Sequence, residues 1–129
     1  MEDGRSADVT EQVEAFMATL PMYPAQPTKA IVESVDYVIA EGPSARRPVL
    51  GEISLEPDYR EYTSVFGNRL REIRPLGTDV RILCIFGPDR TLVLLYAGDK
   101  AGEWKRWYAT GIKEAARSYI EYLKETGQA

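Results

Sequence analysis

The stretch from Asp79 to Gly98 restricts the possible folds more than any other part of this chain. It reads "DVRILCIFGPDRTLVLLYAG", two apolar runs on either side of "GPDR". The first run is rich in β-branched residues, and the glycine and proline between the runs suit a turn, so the segment predicts a β-hairpin. Leu92 to Tyr96 is apolar at every position rather than at alternate ones. A strand of that kind needs both faces covered, which makes it a central strand with other elements above and below.

The rest of the chain supplies those elements. "RLREIRP" (Arg69–Pro75) alternates and predicts a further strand, joined to the hairpin through "LGT". Val9, Val13, Phe16, Met17 and Leu20 recur on one helical face, with Thr10 or Asp8 as N-cap and Pro21, Pro24 and Pro27 ending the helix. A second helix is predicted from about Thr28 to Glu41, with Ile31, Val32, Val35, Val38 and Ile39 on one stripe and Gly42-Pro43 at its end. The short connection between the two suggests an antiparallel helical hairpin. A last helix from about Lys113 to Lys124 is expected to bury Ala116, Tyr119, Ile120 and Leu123. Residues 44–68 show no sustained period and read as loop, with short strands near Val49 to Ile53 and before Val9. Helices grouped outside a consecutive run of strands indicate an α+β domain with a mainly antiparallel sheet. At 129 residues the expectation is one domain, 1–129.

Composition then excludes several classes of function. The chain has no histidine and one cysteine, so the usual zinc patterns are ruled out and no internal disulfide can form. The opening "MEDGRSADV" is acidic and polar, unlike a secretory signal, and no apolar run approaches a membrane span. A cytoplasmic protein without a membrane partner is expected. The net charge of −4 argues against a general nucleic-acid coat protein. Its distribution is uneven, however. Residues 1–45 hold eight acids against two bases, whereas residues 46–106 hold nine against eleven, with Arg69, Arg71, Arg74 and Arg81 close together. A local basic surface can therefore exist on this acidic chain.

The motifs "LREIR" (Leu70–Arg74), "RILCIF" (Arg81–Phe86) and "GDKAGEWKRWY" (Gly98–Tyr108), placed after a helical hairpin, resemble the RelE/ParE toxin superfamily, in particular its HigB-like, phage Gp49-related branch. In that branch an L-x-E-[LI]-R strand precedes R-[IV]-L-x-x-F, a turn, an apolar strand and G-D-K-x-G-x-W-x-R-W-Y. The resemblance implies a RelE-like fold: an N-terminal helical hairpin on a small twisted sheet, with a C-terminal helix. It further implies a type II toxin partnered by a helix-turn-helix antitoxin, cleaving messenger RNA on the ribosome. The implied chemistry is attack of a ribose 2′-hydroxyl on the adjacent phosphate, with no cofactor or metal. Such a reaction needs a base, an acid and cations near the phosphate oxygens.

Carried onto this chain, the resemblance makes Arg81, Lys100 and Arg74 the candidate catalytic residues. Arg81 begins its strand and could hold the scissile phosphate bidentately. Arg71 and Arg74 are three apart, so a regular strand points them to opposite faces; Arg74 takes the motif's arginine position and Arg71 reads better as a solvated strand residue. Lys100 follows the apolar strand at the rim of the groove, where Asp99 could orient it. Arg71, Lys105 and Arg106 are the candidate RNA-binding residues. Each of these cations also has a plain reading as a solvated surface charge. Trp104 and Trp107 are expected to anchor the last helix on the sheet, Tyr108 is a possible hydroxyl donor, and Cys84 is expected to be an inert core thiol. Two alternatives to the nuclease stay open: a non-catalytic RelE/ParE-fold module that binds an antitoxin or targets gyrase, and an inactive phage Gp49-like protein.

Overall fold

In the computed structural model, which describes residues 7–22 and 24–128, the apolar run forms an inner strand, β5 (Leu92–Asp99), of a five-stranded sheet. The antiparallel partner of β5 is β4 (Val80–Phe86), and its parallel partner is the short β1 (Ala7–Val9). Beyond β4 come β3 (Arg71–Ile73) and β2 (Leu50–Glu52), both antiparallel, giving the order β1-β5-β4-β3-β2. Among the described residues four α-helices complete the fold: α1 (Glu11–Met17), α2 (Ala25–Glu41), α3 (Thr63–Phe66) and α4 (Trp104–Glu125). Most of "MEDGRSADV" lies outside the described residues.

The sheet is covered on both faces, which is why β5 can be apolar throughout. On one face Val13 of α1 and Ile31 and Val38 of α2 pack with Ile73, Ile82, Cys84 and Leu94. On the other, Ile112, Ala116 and Tyr119 of α4, with Phe66 of α3, cover Leu83, Ile85, Val93 and Leu95. A bulge adjusts the phase between them. Leu83 pairs with Tyr96 but Cys84 with Leu94, so Leu95 is an extra residue in β5. Both Leu95 and Tyr96 thereby reach the α4 side.

Several sequence expectations change in the folded chain. The last helix starts at Trp104 rather than near Lys113, because the segment before Lys113 packs on the sheet: a Cβ at Gly111 would lie 2.9 Å from Tyr96 Cδ2. Glycine is required there for the close approach of helix to strand. Pro27 sits in the first turn of α2, where its missing N–H costs nothing, instead of ending α1. Thr10 does flank α1, but its hydroxyl donates to Leu95 O and ties the helix to β5. Val32 and Ile120, both expected inside, are exposed. Within residues 44–68 the short strand expected near Val49 to Ile53 is β2, but the rest is not all loop, since it holds α3.

Candidate active site

One end of the α4-covered face is polar. In the β3–β4 register Ile73 faces Ile82, so Arg74, one residue beyond, comes beside Arg81, one residue before. Two arginines set side by side across strands repel each other and weaken a sheet, unless an anion lies between or beneath them. Glu72 is that anion. It is 3% exposed, and both of its oxygens are used: Oε2 accepts from Arg74 Nε at 2.7 Å and Oε1 from the Tyr108 hydroxyl at 2.6 Å. Burial of a carboxylate is tolerable only with such partners.

Local backbone choices create this arrangement. Gly51 of β2 faces Glu72, and a Cβ there would lie 2.5 Å from Arg74 Nη2, so the guanidinium rests on bare backbone. Arg81 is held differently. Its Nη1 donates to Val80 O at 2.8 Å and Thr78 O at 3.1 Å. These bonds leave the Nη groups of Arg74, and Nε and Nη2 of Arg81, without a bond among the described residues. Tyr108 joins the cluster through Glu72. Burial, then the bond to Glu72 and its negative charge, push the Tyr108 phenol up, against the opposing effect of Arg81 and Arg74. It therefore stays protonated and acts as a donor at neutral pH.

The rim follows from the end of β5. A Cβ at Gly98, which faces Arg81, would lie 2.6 Å from Trp107 Nε1, so α4 begins pressed onto the strand end. Trp107 anchors the helix, with its ring 5.4 Å from Tyr96 and 5.0 Å from Tyr108. Trp104 does not: it is 54% exposed. Lys100 lines a groove of about 210 Å³ with Tyr96, Glu103, Arg106 and Trp107. Its backbone N–H bonds to Asp79 O, while Asp99 accepts from Ala101 N rather than orienting the lysine. Lys105 and Arg106 are exposed; Lys105 Nζ lies over the Trp104 ring and Arg106 is 3.5 Å from Glu103. No side chain caps α4, so its positive end adds to these cations.

Arg71 does not join this cluster. It pairs with Cys84, on the face covered by α1 and α2, so RNA bound near Arg74 would not meet it. A second cleft, about 490 Å³, runs between α1 and the later turns of α4, and its five glutamates, Glu11, Glu14, Glu114, Glu121 and Glu125, outnumber Arg117, which disfavours a polyanion. Cys84 is fully buried, and burial pushes its thiol up, away from reactivity. The residue that sequence reasoning left without a role is Glu72. Its signal was the alternation itself: Leu70 and Glu72 share a strand face, so a buried Leu70 implies a buried acid.

An α+β domain with N-terminal helices on one face of a mixed sheet, a C-terminal helix on the other and a cluster of arginines at one end has the RelE-like fold. A sequence profile of the family described as "Phage derived protein Gp49-like" matches residues 18–119. The protein named "Putative toxin HigB3" of Mycobacterium tuberculosis is 41% identical over 94 residues, 73% of this chain and 75% of that one. "Putative toxin HigB2" of the same organism is 30% identical over 122 residues, 90% of this chain but 55% of its own length. The chain thus spans about half of that second relative. It belongs to the HigB-like, phage Gp49-related toxin family. Among the described residues no helix is long and apolar enough to cross a membrane.

Proposed function

We propose that this protein is the toxin of a type II toxin–antitoxin pair and cleaves messenger RNA on the translating ribosome, with a helix-turn-helix antitoxin as its partner. The observation that carries the reading is the pair Arg74 and Arg81, set side by side over the buried Glu72 with unfilled donors. A phosphate between the two guanidinium groups relieves their repulsion and accepts those donors. The 2′-hydroxyl gives up its proton as its oxygen bonds to phosphorus, and the 5′-oxygen leaves and takes up a proton, forming a cyclic 2′,3′-phosphate and a 5′-hydroxyl. The two arginines stabilise the charge that builds on the non-bridging oxygens. Tyr108, whose one hydroxyl proton is donated to Glu72, holds that carboxylate in place beside Arg74, and Lys100, Lys105 and Arg106 guide the flanking strand. Five of the chain's acids are grouped away from this site, in the cleft between α1 and the later turns of α4.

The test is induction of the protein in growing cells, followed by mapping of messenger RNA ends in ribosome-bound and free transcripts. Growth arrest with new 5′-hydroxyl ends on ribosome-bound messages is expected. Intact transcripts and normal growth would refute the nuclease.

A further inference from the structure

We propose that Trp104 is a stacking platform for a nucleobase next to the scissile phosphate. This deepens the nuclease reading and rests on it. Large aromatic side chains are usually mostly covered, and in this helix Trp107 shows how: it fills the space over Gly98 and against Tyr96. Trp104 is instead 54% exposed on the first turn of α4. It lies four residues before Tyr108, so the two share one stripe of the helix. The Trp104 ring therefore continues the line of the Glu72-bound Tyr108 outward by one turn, about 6 Å along the axis.

That position is at the correct end of the sheet. Asp99 pairs with Val80 and Gly98 with Arg81, so the chain turns from β5 into α4 beside the strand ends that carry Arg74 and Arg81. A cation already lies over the ring. Lys105 Nζ sits 5.6 Å from the ring centroid, and Lys100 and Arg106, together with Asp99 and Glu103, line the groove where β5 passes into α4. A protein-docking patch needs contiguous apolar surface, whereas an exposed aromatic ring with a cation over it suits single-stranded nucleic acid. In the bound state a base lies flat on the ring, and Lys105 moves toward its phosphate or covers the opposite ring face.

The experiment uses purified ribosomes programmed with a short messenger RNA, once intact and once with an abasic nucleotide beside the cut. Cleavage by the wild type is compared with Trp104→Ala and Trp104→Phe, and thermal melting is followed in parallel. On the intact message Trp104→Ala should lower kcat/KM by about 10–100-fold, the range of one base–aromatic stack. Trp104→Phe should retain most of the rate, and melting should change little. The abasic message should slow the wild type by a similar factor and Trp104→Ala hardly further. Cleavage by Trp104→Ala at the wild-type rate overturns the platform and leaves the nuclease standing. An equal loss with Trp104→Ala on both messages also overturns it, assigning the ring to a contact with the ribosome. No cleavage by the wild type overturns the nuclease and the platform together.

Discussion

The Tyr108 hydroxyl, on the second turn of α4, donates a 2.6 Å hydrogen bond to Oε1 of Glu72 on β3, joining residues thirty-six positions apart. Through Glu72 this bond couples α4 to Arg74, whose Nε takes the other carboxylate oxygen. A buried carboxylate and a phenol thus set the position of one arginine of the site.

Removal of the carboxylate should destabilise the protein. Glu72→Ala leaves the Tyr108 hydroxyl and Arg74 Nε without their acceptor, at roughly 1–3 kcal/mol for an orphaned buried group. Glu72→Gln, which keeps a carbonyl acceptor, should lose less. Urea denaturation measures both, and a Glu72→Ala midpoint equal to that of the wild type would show that the carboxylate holds nothing.

The two arginines should separate in their effect on stability. Arg81→Ala removes a group whose bonds in the protein go to main-chain carbonyls at the sheet end. Cleavage should fall by about 10²–10³-fold, as for loss of one preorganised donor, with little change in melting. Arg74→Ala should lower cleavage similarly but also cost stability, since it strips a buried carboxylate of its charged partner. Ribosome-bound transcript mapping and calorimetry on both variants decide the point.

Gly51→Ala tests the seat of Arg74 without touching any charge. The new methyl would occupy the space of the guanidinium, so the arginine must swing off Glu72. Messenger RNA cleavage should drop at least tenfold, a loss of about 1.4 kcal/mol or more in transition-state binding. Circular dichroism should still report a folded chain. Full activity would mean that Arg74 functions in another pose.

Alkaline pH should unfold the protein in part through Tyr108. Burial and Glu72 raise this phenol above its ordinary value of 10.0, so the folded state holds the proton more tightly than the unfolded state. The corresponding stability is complete below pH 10 and is lost as pH rises beyond it. Tyr122, raised by burial and its bond to Asp8, acts in the same direction. Tyr108→Phe should therefore flatten the decline of stability above pH 10 without abolishing it, as read from denaturant midpoints across that range.

Binding of the antitoxin should depend on charge. An acidic segment laid over Arg74, Arg81 and Lys100 would mask them, so co-purification with the product of the adjacent gene should weaken as salt rises. Arg81→Glu should weaken it further. Indifference to both changes would place the antitoxin on another surface.

Much of the architecture was legible in the chain because it follows from local period. An apolar run without alternation, Leu92 to Tyr96, requires cover on both faces, and the helical stripes around Val13 and Ile31 supply cover on one of them. The motif residues of "LREIR" and "GDKAGEWKRWY" likewise carried the family. Period alone did not show the parallel pairing of β1 with β5, the bulge at Leu95 or the true start of α4 at Trp104. Each depends on contacts between segments far apart in sequence.

The sequence by itself determined that the chain is an α+β domain with β5 inside the sheet, that Arg71 and Arg74 oppose each other across a strand, and that Cys84 is a core residue. Tertiary structure alone assembled the candidate site. It brought Arg74 beside Arg81, gave Glu72 its two donors, cleared Gly51 beneath a guanidinium, and divided two tryptophans of one motif between an anchor and an exposed ring. The reason is physical: a side-chain period is local, but a buried charge is stabilised only by the partners that distant segments bring to it.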